Sequence, residues 1–151
     1  MFLALAGGVG GAKLAFGLAQ ILPPEDLTIM VNTGDDFDHL GLRICPDLDT
    51  VLYTLGGVAN PETGWGQVDE TWNFMESLDR IGGETWFQLG DRDLATHVER
   101  TRRLKDGETL SAIIADFAVK LGISHPIVPA TDDPVPTIVR TTDGDLPFQE
   151  Y

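Results

Sequence analysis

The apolar run Phe2 to Ala6 passes directly into Gly7-Gly8-Val9-Gly10-Gly11, and beyond the glycines Leu14, Phe16 to Leu18 and Ile21 can supply the buried face of a helix. A strand that ends in a glycine loop and feeds a helix brings bare backbone to the carboxyl edge of a sheet. The helix N-terminus adds N–H donors and partial positive charge there. Pro23-Pro24 stops the helix, and Leu27-Thr28-Ile29-Met30-Val31 follows as a nearly continuous apolar strand, the kind buried on both faces of a parallel sheet. These residues predict a βαβ unit and an α/β fold.

The loop fits neither common nucleotide signature. Ala12 stands where a Walker A loop needs its second glycine, and Leu14 where a Ser or Thr would hold magnesium. Lys13 occupies the place of the third glycine of a dinucleotide fingerprint. Gly7, Gly8, Gly10, Gly11 and Lys13 are therefore candidates for holding an anion in a different way. The alternative is a tight turn that packs the helix on the sheet, with Lys13 in solvent.

Asn32-Thr33-Gly34-Asp35-Asp36 follows the second strand, on the edge where open α/β sheets bind ligands, so an acidic residue there can hold a ribose or sit in a solvated turn. Leu48, Val51, Leu52 and Leu55 predict a helix from about Pro46, with Asp47 and Asp49 in its first turn. There they can act as capping carboxylates or, beside a phosphate loop, as magnesium ligands. Asp69 is expected to cap a helix carrying Trp72, Met75, Glu76 and Leu78 up to Gly82-Gly83. A further helix is expected from Leu94 to about Arg103, and another from Thr109 to Leu121. Ile127-Val128 and Thr137 to Thr141 read as strands, with a hairpin turn at Asp143-Gly144 before Leu146-Pro147-Phe148. Arg92 can grip a phosphate or pair with neighbouring charges, His97 reads as a packed or supporting histidine, and Arg100, Arg102, Arg103 and Lys105 as a solvated face.

At 151 residues, with 42% hydrophobic and 23% charged residues, the chain is long enough for one domain with a core and too apolar for disorder. With 24 acidic against 10 basic side chains the net charge is −14, which argues against nucleic acid or an anionic membrane as partner. No stretch reaches the roughly 18 apolar residues of a membrane span. The opening MFLALAGG is unlike a signal peptide, and Cys45 alone cannot form an internal disulfide, so the expected location is the cytosol. Leu146 to Tyr151 begins what reads as another strand and then stops, as in the front part of a longer protein.

Taken together, AGGVGGAK at 6–13, VNTGDD at 31–36, GLRICPDLDTVLYTLGG at 41–57, GWG at 64–66, DETW at 69–72, WFQLGDRDLATH at 86–97 and ATDDPVPT at 130–137 resemble, in order, the 2-phospho-L-lactate transferase family of deazaflavin-coenzyme biosynthesis. The resemblance covers nearly the whole chain and only the N-terminal half of that family. It implies a Rossmann-like enzyme, with a mainly parallel sheet and helices on both faces, of which residues 1–151 form the first part. It also implies magnesium-assisted transfer of a phospholactyl group, or a phosphoenolpyruvyl-type group as in some bacterial members, from a guanosine diphosphate (GDP) conjugate to the deazaflavin precursor Fo, releasing GMP.

On that resemblance Asp49 matches the family aspartate that contacts Fo and is the residue expected to orient the attacking hydroxyl. Gln88 stands where archaeal relatives carry a basic deazaflavin contact. Asp35 and Arg92 join the substrate-binding candidates, and Asp36 and Asp47 those for metal. A homodimer is left open. The rival readings are a sugar-nucleotide-binding regulator of the related gluconeogenesis-factor family, which would use the loop without turnover, and a nicotinamide-dependent oxidoreductase with Asp35 on the ribose.

Overall fold

The computed structural model describes residues 1–142 and 144–151. The expected βαβ unit is present: β1 (Phe2–Ala6), α1 (Gly8–Ala19), a 3-10 turn at Pro24–Asp26, then β2 (Leu27–Val31). Gly7 is the extended residue before α1, and α1 lies tightly on β1 because residue 11 has no side chain. A Cβ at Gly11 would stand 2.9 Å from the Ala6 Cα. One glycine of the loop is thus explained by helix-on-strand packing alone.

After β2 the chain makes a hairpin that the sequence pattern does not announce, β3 (Phe37–His39) and β4 (Leu42–Ile44), antiparallel with Phe37 opposite Ile44. Its turn places Leu40 at φ 52° and Gly41 at φ 73°. Leucine is a poor residue for that conformation, which hides the turn from a composition-based reading. The helices follow in order: α2 (Pro46–Leu55), α3 (Asn73–Arg80), α4 (Asp91–Lys105) and α5 (Leu110–Lys120). Then come β5 (Ile127–Pro129), β6 (Ile138–Thr141), β7 (Gly144–Pro147) and a last 3-10 turn, Phe148–Glu150. Of the expected Asp143-Gly144 turn, Asp143 lies outside the described residues.

Strands β1, β2 and β5 form a parallel sheet in that order, with Leu5 beside Met30 and Met30 beside Val128. The α/β expectation holds. Helices α1, α2 and α5 bury Ala12, Ala15, Leu48, Val51, Leu52, Ile114 and Ala118 against Ala4, Ala6, Leu27, Ile29, Val31 and Ile127. Two-sided helical cover is not what the described residues show. On the opposite face of β1, Leu3 and Leu5 are 56% and 70% exposed.

A second, smaller core joins Ile44, Met75 and Leu89, with Phe37, Phe74, Phe87 and Leu94 packed around it. It ties the β3–β4 hairpin to α3 and the start of α4. Two crossed caps fix these helices. Glu70 accepts from the backbone N–H groups of Arg92 and Asp93, both at 2.8 Å, at the start of α4. Asp91 in turn accepts from Thr71 Oγ1, both Asn73 nitrogens and the Phe74 N–H at the start of α3. The expectation that Asp69 caps α3 is therefore corrected. Asp69 sits in the loop at φ 55°, and the cap comes from 18 residues beyond Asn73. For the same reason α4 starts at Asp91 rather than Leu94, since its cap is distant in sequence and leaves no local signal.

Candidate functional site

Local sequence explains how the site is built. Pro46 starts α2 with its missing N–H in the first turn, where none is needed, so the PDLDT segment turns sharply out of β4 with both aspartates at the helix start. Neither acts as a side-chain cap. Asp47 faces the glycine loop: Asn32 Nδ2 donates to its Oδ2 at 2.9 Å, and the same oxygen would stand 3.1 Å from a Cβ at Gly7. A side chain at Gly7 would crowd the carboxylate and push it slightly away from the loop backbone. Asn32 also receives the Gly34 N–H at 3.0 Å and so shapes the Asn32-Thr33-Gly34-Asp35-Asp36 turn around Asp47. Burial first and the neighbouring Asp47 charge second raise the Asp35 pKa.

Asp49 points the other way, into the interior, and the solvated face expected for Arg100 is corrected here. Arg100 is fully buried and its Nη2 donates to Asp49 Oδ1. Its Nη1 donates to the Arg43 carbonyl at 3.3 Å, while the Arg43 N–H goes to Thr101 Oγ1 at 2.7 Å, so α4 and β4 are joined around this pair. Burial works against the charge on Arg100, but the Asp49 carboxylate overcomes it and keeps the guanidinium firmly protonated. Burial likewise raises the Asp49 pKa, opposed by Arg100 and His97.

His97 is 1% exposed and lies between two carboxylates. Its Nδ1 is 3.6 Å from Asp49 Oδ2 and its Nε2 3.2 Å from Asp93 Oδ2. The Tyr53 hydroxyl donates to Asp93 Oδ1 at 2.6 Å and lies 2.8 Å from Thr96 Oγ1. Burial opposes the Asp93 charge, but His97 and the Tyr53 hydroxyl bring its pKa below the usual value.

These groups form the floor of a cavity of about 360 Å³ whose walls include Ile44, Trp65, Phe87 and Gln88. Flat apolar walls over a charged floor suit a planar heterocycle bearing hydroxyl groups. Gln88 lies at the exposed rim and donates to the Thr85 carbonyl at 2.9 Å. Arg92 is exposed and donates Nη1 to the Val68 carbonyl at 2.9 Å, which anchors the loop carrying Trp65.

Other candidates lie elsewhere. Lys13 lines a separate cavity with Val9, Phe16, Thr54 and Asn60, along α1 from the glycine loop. Gly10 has nothing within 4 Å of where a Cβ would be, so the loop is open to a ligand there. Asp36, adjacent to Asp35, faces a different cavity, beside Thr33, Arg43, Asp132 and Asp133. Its pKa is pushed up to about 6, by burial above all. Asp36 and Asp47 are thus turned to different surroundings. Sequence reasoning gave no site role to Asp93 or Tyr53; the available signal was the i, i+4 spacing of Asp93 and His97 on α4.

The family model described as 2-phospho-L-lactate transferase CofD matches residues 2–151. The chain belongs to the 2-phospho-L-lactate transferase family. It is 49% identical over 152 residues to a protein named phosphoenolpyruvate transferase from Streptomyces griseus, covering 97% of this chain and 48% of that protein. Proteins of the same name from Streptomyces coelicolor and Mycobacterium tuberculosis are 48% and 46% identical, covering 97% and 92% of this chain and 48% and 46% of their own length. The chain spans about half the length of the curated relatives it matches. Two positions that the family resemblance singles out, Asp49 and Gln88, line the same cavity. Among the described residues no helix is long and apolar enough to cross a membrane.

Proposed function

We propose that this chain supplies part of the active site of a transferase that moves a phosphoenolpyruvyl group from a GDP conjugate to the primary ribityl hydroxyl of Fo, releasing GMP. The observation that carries this reading is the cavity itself, with Trp65, Phe87 and Tyr53 around a space of about 360 Å³ and the buried Asp49 on its floor. A deazaflavin ring fits such walls, and a hydroxyl of its side chain can donate to Asp49 Oδ2, which has no hydrogen-bond partner among the described residues. The relatives' name favours the enolpyruvyl donor. A phospholactyl donor, the family's own name, is the second reading.

In this mechanism the acceptor hydroxyl oxygen attacks the phosphorus bearing the organic acid as the bond to the GMP oxygen breaks. Asp49 aligns the hydroxyl, and Arg100 fixes the carboxylate from behind. The first turn of α1, open at Gly10, offers backbone N–H groups to the donor phosphates. Holding the two reactants in line accounts for as much as ~7–11 kcal/mol of the barrier, so no strong base is required.

Magnesium fits the residues present. Asp47 offers hard carboxylate oxygens against the glycine loop, where an anion alone would be repelled, and Asp35 is a neighbouring acid. When bound, the ion would neutralise phosphoryl charge. Lys13, on another face of α1, is a weaker candidate for the same phosphates, and Asp36 a weaker one for the metal.

Titrating Fo fluorescence with the protein, with and without GDP and magnesium, tests the reading. Saturable quenching of Fo, strengthened by magnesium with GDP, is expected. GDP binding without any Fo response would favour the non-catalytic nucleotide-binding regulator instead.

A further inference from the structure

Asp49, Asp93 and His97 each offer one ligand atom, and these atoms lie within 4.8 Å of one another. The two carboxylates are arranged alike. Each has one oxygen engaged by the protein, Asp49 Oδ1 by Arg100 and Asp93 Oδ1 by the Tyr53 hydroxyl. Each turns its other oxygen toward the imidazole. Asp49 Oδ2 and both His97 nitrogens are buried and make no hydrogen bond within the described residues. The His97 nitrogens stand at ion-pair distance from the two carboxylates without a hydrogen bond of good geometry, which leaves room for a better partner at these three buried atoms.

We propose that Asp93 and His97, with Asp49 beside them, bind a divalent transition ion of the Mn²⁺ class. Two atoms each about 2.1 Å from an ion stand roughly 3.0–3.4 Å apart. The 3.2 Å between Asp93 Oδ2 and His97 Nε2 lies in that range. Their i, i+4 spacing on α4 keeps them on one face of the helix. Arg100 and Tyr53 act as the outer partners that hold ligands in orientation. Two carboxylate oxygens converge on the site, which attracts a cation. The nitrogen donor separates this site from Asp47, since magnesium prefers oxygen and water, whereas a set of carboxylates with one imidazole suits a first-row transition ion, for which Mn²⁺ serves as the spectroscopic probe. The cavity leaves space for water or a substrate oxygen to complete the coordination. The assignment stands apart from the transferase reading, because ion binding needs neither donor nor acceptor.

The test is to titrate the protein with Mn²⁺ in a constant excess of Mg²⁺ and with no substrate, following free Mn²⁺ by electron paramagnetic resonance. Retention of a Mn²⁺ ion with imidazole nitrogen coupling in the pulsed spectrum is expected. Asp93→Asn and His97→Gln should each weaken binding about tenfold or more, while Asp47→Asn leaves it within about twofold. Circular dichroism checks that the variants fold, and the nitrogen coupling reads the unsubstituted protein and needs no variant. No Mn²⁺ retained against Mg²⁺, retained Mn²⁺ without nitrogen coupling, or loss in Asp47→Asn alone would each overturn the proposal. The first of these results would leave His97 as an imidazole pinned between two carboxylates.

Discussion

Arg100 lies wholly inside the protein and donates to Asp49, so a charge that sequence pattern assigns to solvent instead holds, from beneath, a carboxylate that lines the cavity. Removing one partner strands the other in a site it cannot leave. Arg100→Met is expected to cost about 3–5 kcal/mol, and the double variant Asp49→Asn with Arg100→Met less than the sum of the two single losses. Urea denaturation of all four proteins measures the coupling. Additive losses would mean that the pair does not act as a unit.

Asp49→Asn alone carries both a structural and a chemical expectation. A first-turn cap would tolerate asparagine almost without loss, but Asp49 makes no cap and its carboxylate pairs with Arg100. The melting temperature should therefore fall together with function. If Asp49 also aligns the ribityl hydroxyl, the single-turnover rate of Fo consumption drops about 10²-fold or more. A variant that loses stability but keeps most of its rate would confine Asp49 to a structural role.

The phosphate-cradle reading is tested at Gly10, where an added Cβ would meet nothing beyond its own helix within 4 Å. Gly10→Val should leave the melting temperature nearly unchanged while weakening GDP binding by about tenfold, because the branched side chain keeps phosphate from the backbone. Fo binding should change little. Isothermal titration with each ligand separates the two, and an equal loss of both would point to a shifted loop instead.

The parts of the fold legible in the sequence are those whose signals are local. The apolar strands at 2–6 and 27–31 and the helix start at Pro46 lie where their residue patterns place them, while α1 begins at Gly8, inside the glycine run that the pattern reads as a loop. Of the candidate residues marked in the sequence, Asp49 and Gln88 line the described cavity, whereas Gly7, Gly8, Gly10 and Gly11 lie outside it. What escaped depends on partners distant in sequence. Arg100 sits among Arg102, Arg103 and Lys105, and only the arrival of Asp49 from 51 residues away selects it for burial. Asp93 and His97 look like an ordinary helix face until Tyr53 and Asp49 close on them. The β3–β4 hairpin hides because its turn uses a leucine at positive φ.

Glu70 supports the cavity without lining it. By accepting two N–H groups at the start of α4 it fixes the turn that presents Asp93. Glu70→Ala should cost about 1–2 kcal/mol, as a lost N-cap does. Fo affinity should also weaken, because the loop holding Trp65 and the start of α4 lose a shared anchor. Denaturation midpoints and Fo quenching measured on the same variant check both effects. Unchanged Fo binding would show that the cap serves stability alone.

The last expectation concerns pH and Asp36, 7% exposed, with one oxygen unpartnered and its pKa pushed up to about 6, mainly by burial. In the unfolded chain the same group titrates near 3.9. Between about pH 4 and pH 6 the folded protein therefore holds a proton that the unfolded chain has lost, and stability falls as pH rises through that window. Above it the buried carboxylate is ionised at a cost of about 3 kcal/mol. Asp36→Asn removes the charge while keeping an oxygen to accept from neighbours. It should raise the melting temperature at pH 8, where the parent carries the full penalty, and have little effect at pH 4. Thermal melts of parent and variant at both pH values decide it. An equal shift at the two would mean that burial of a charge at Asp36 is not what limits stability.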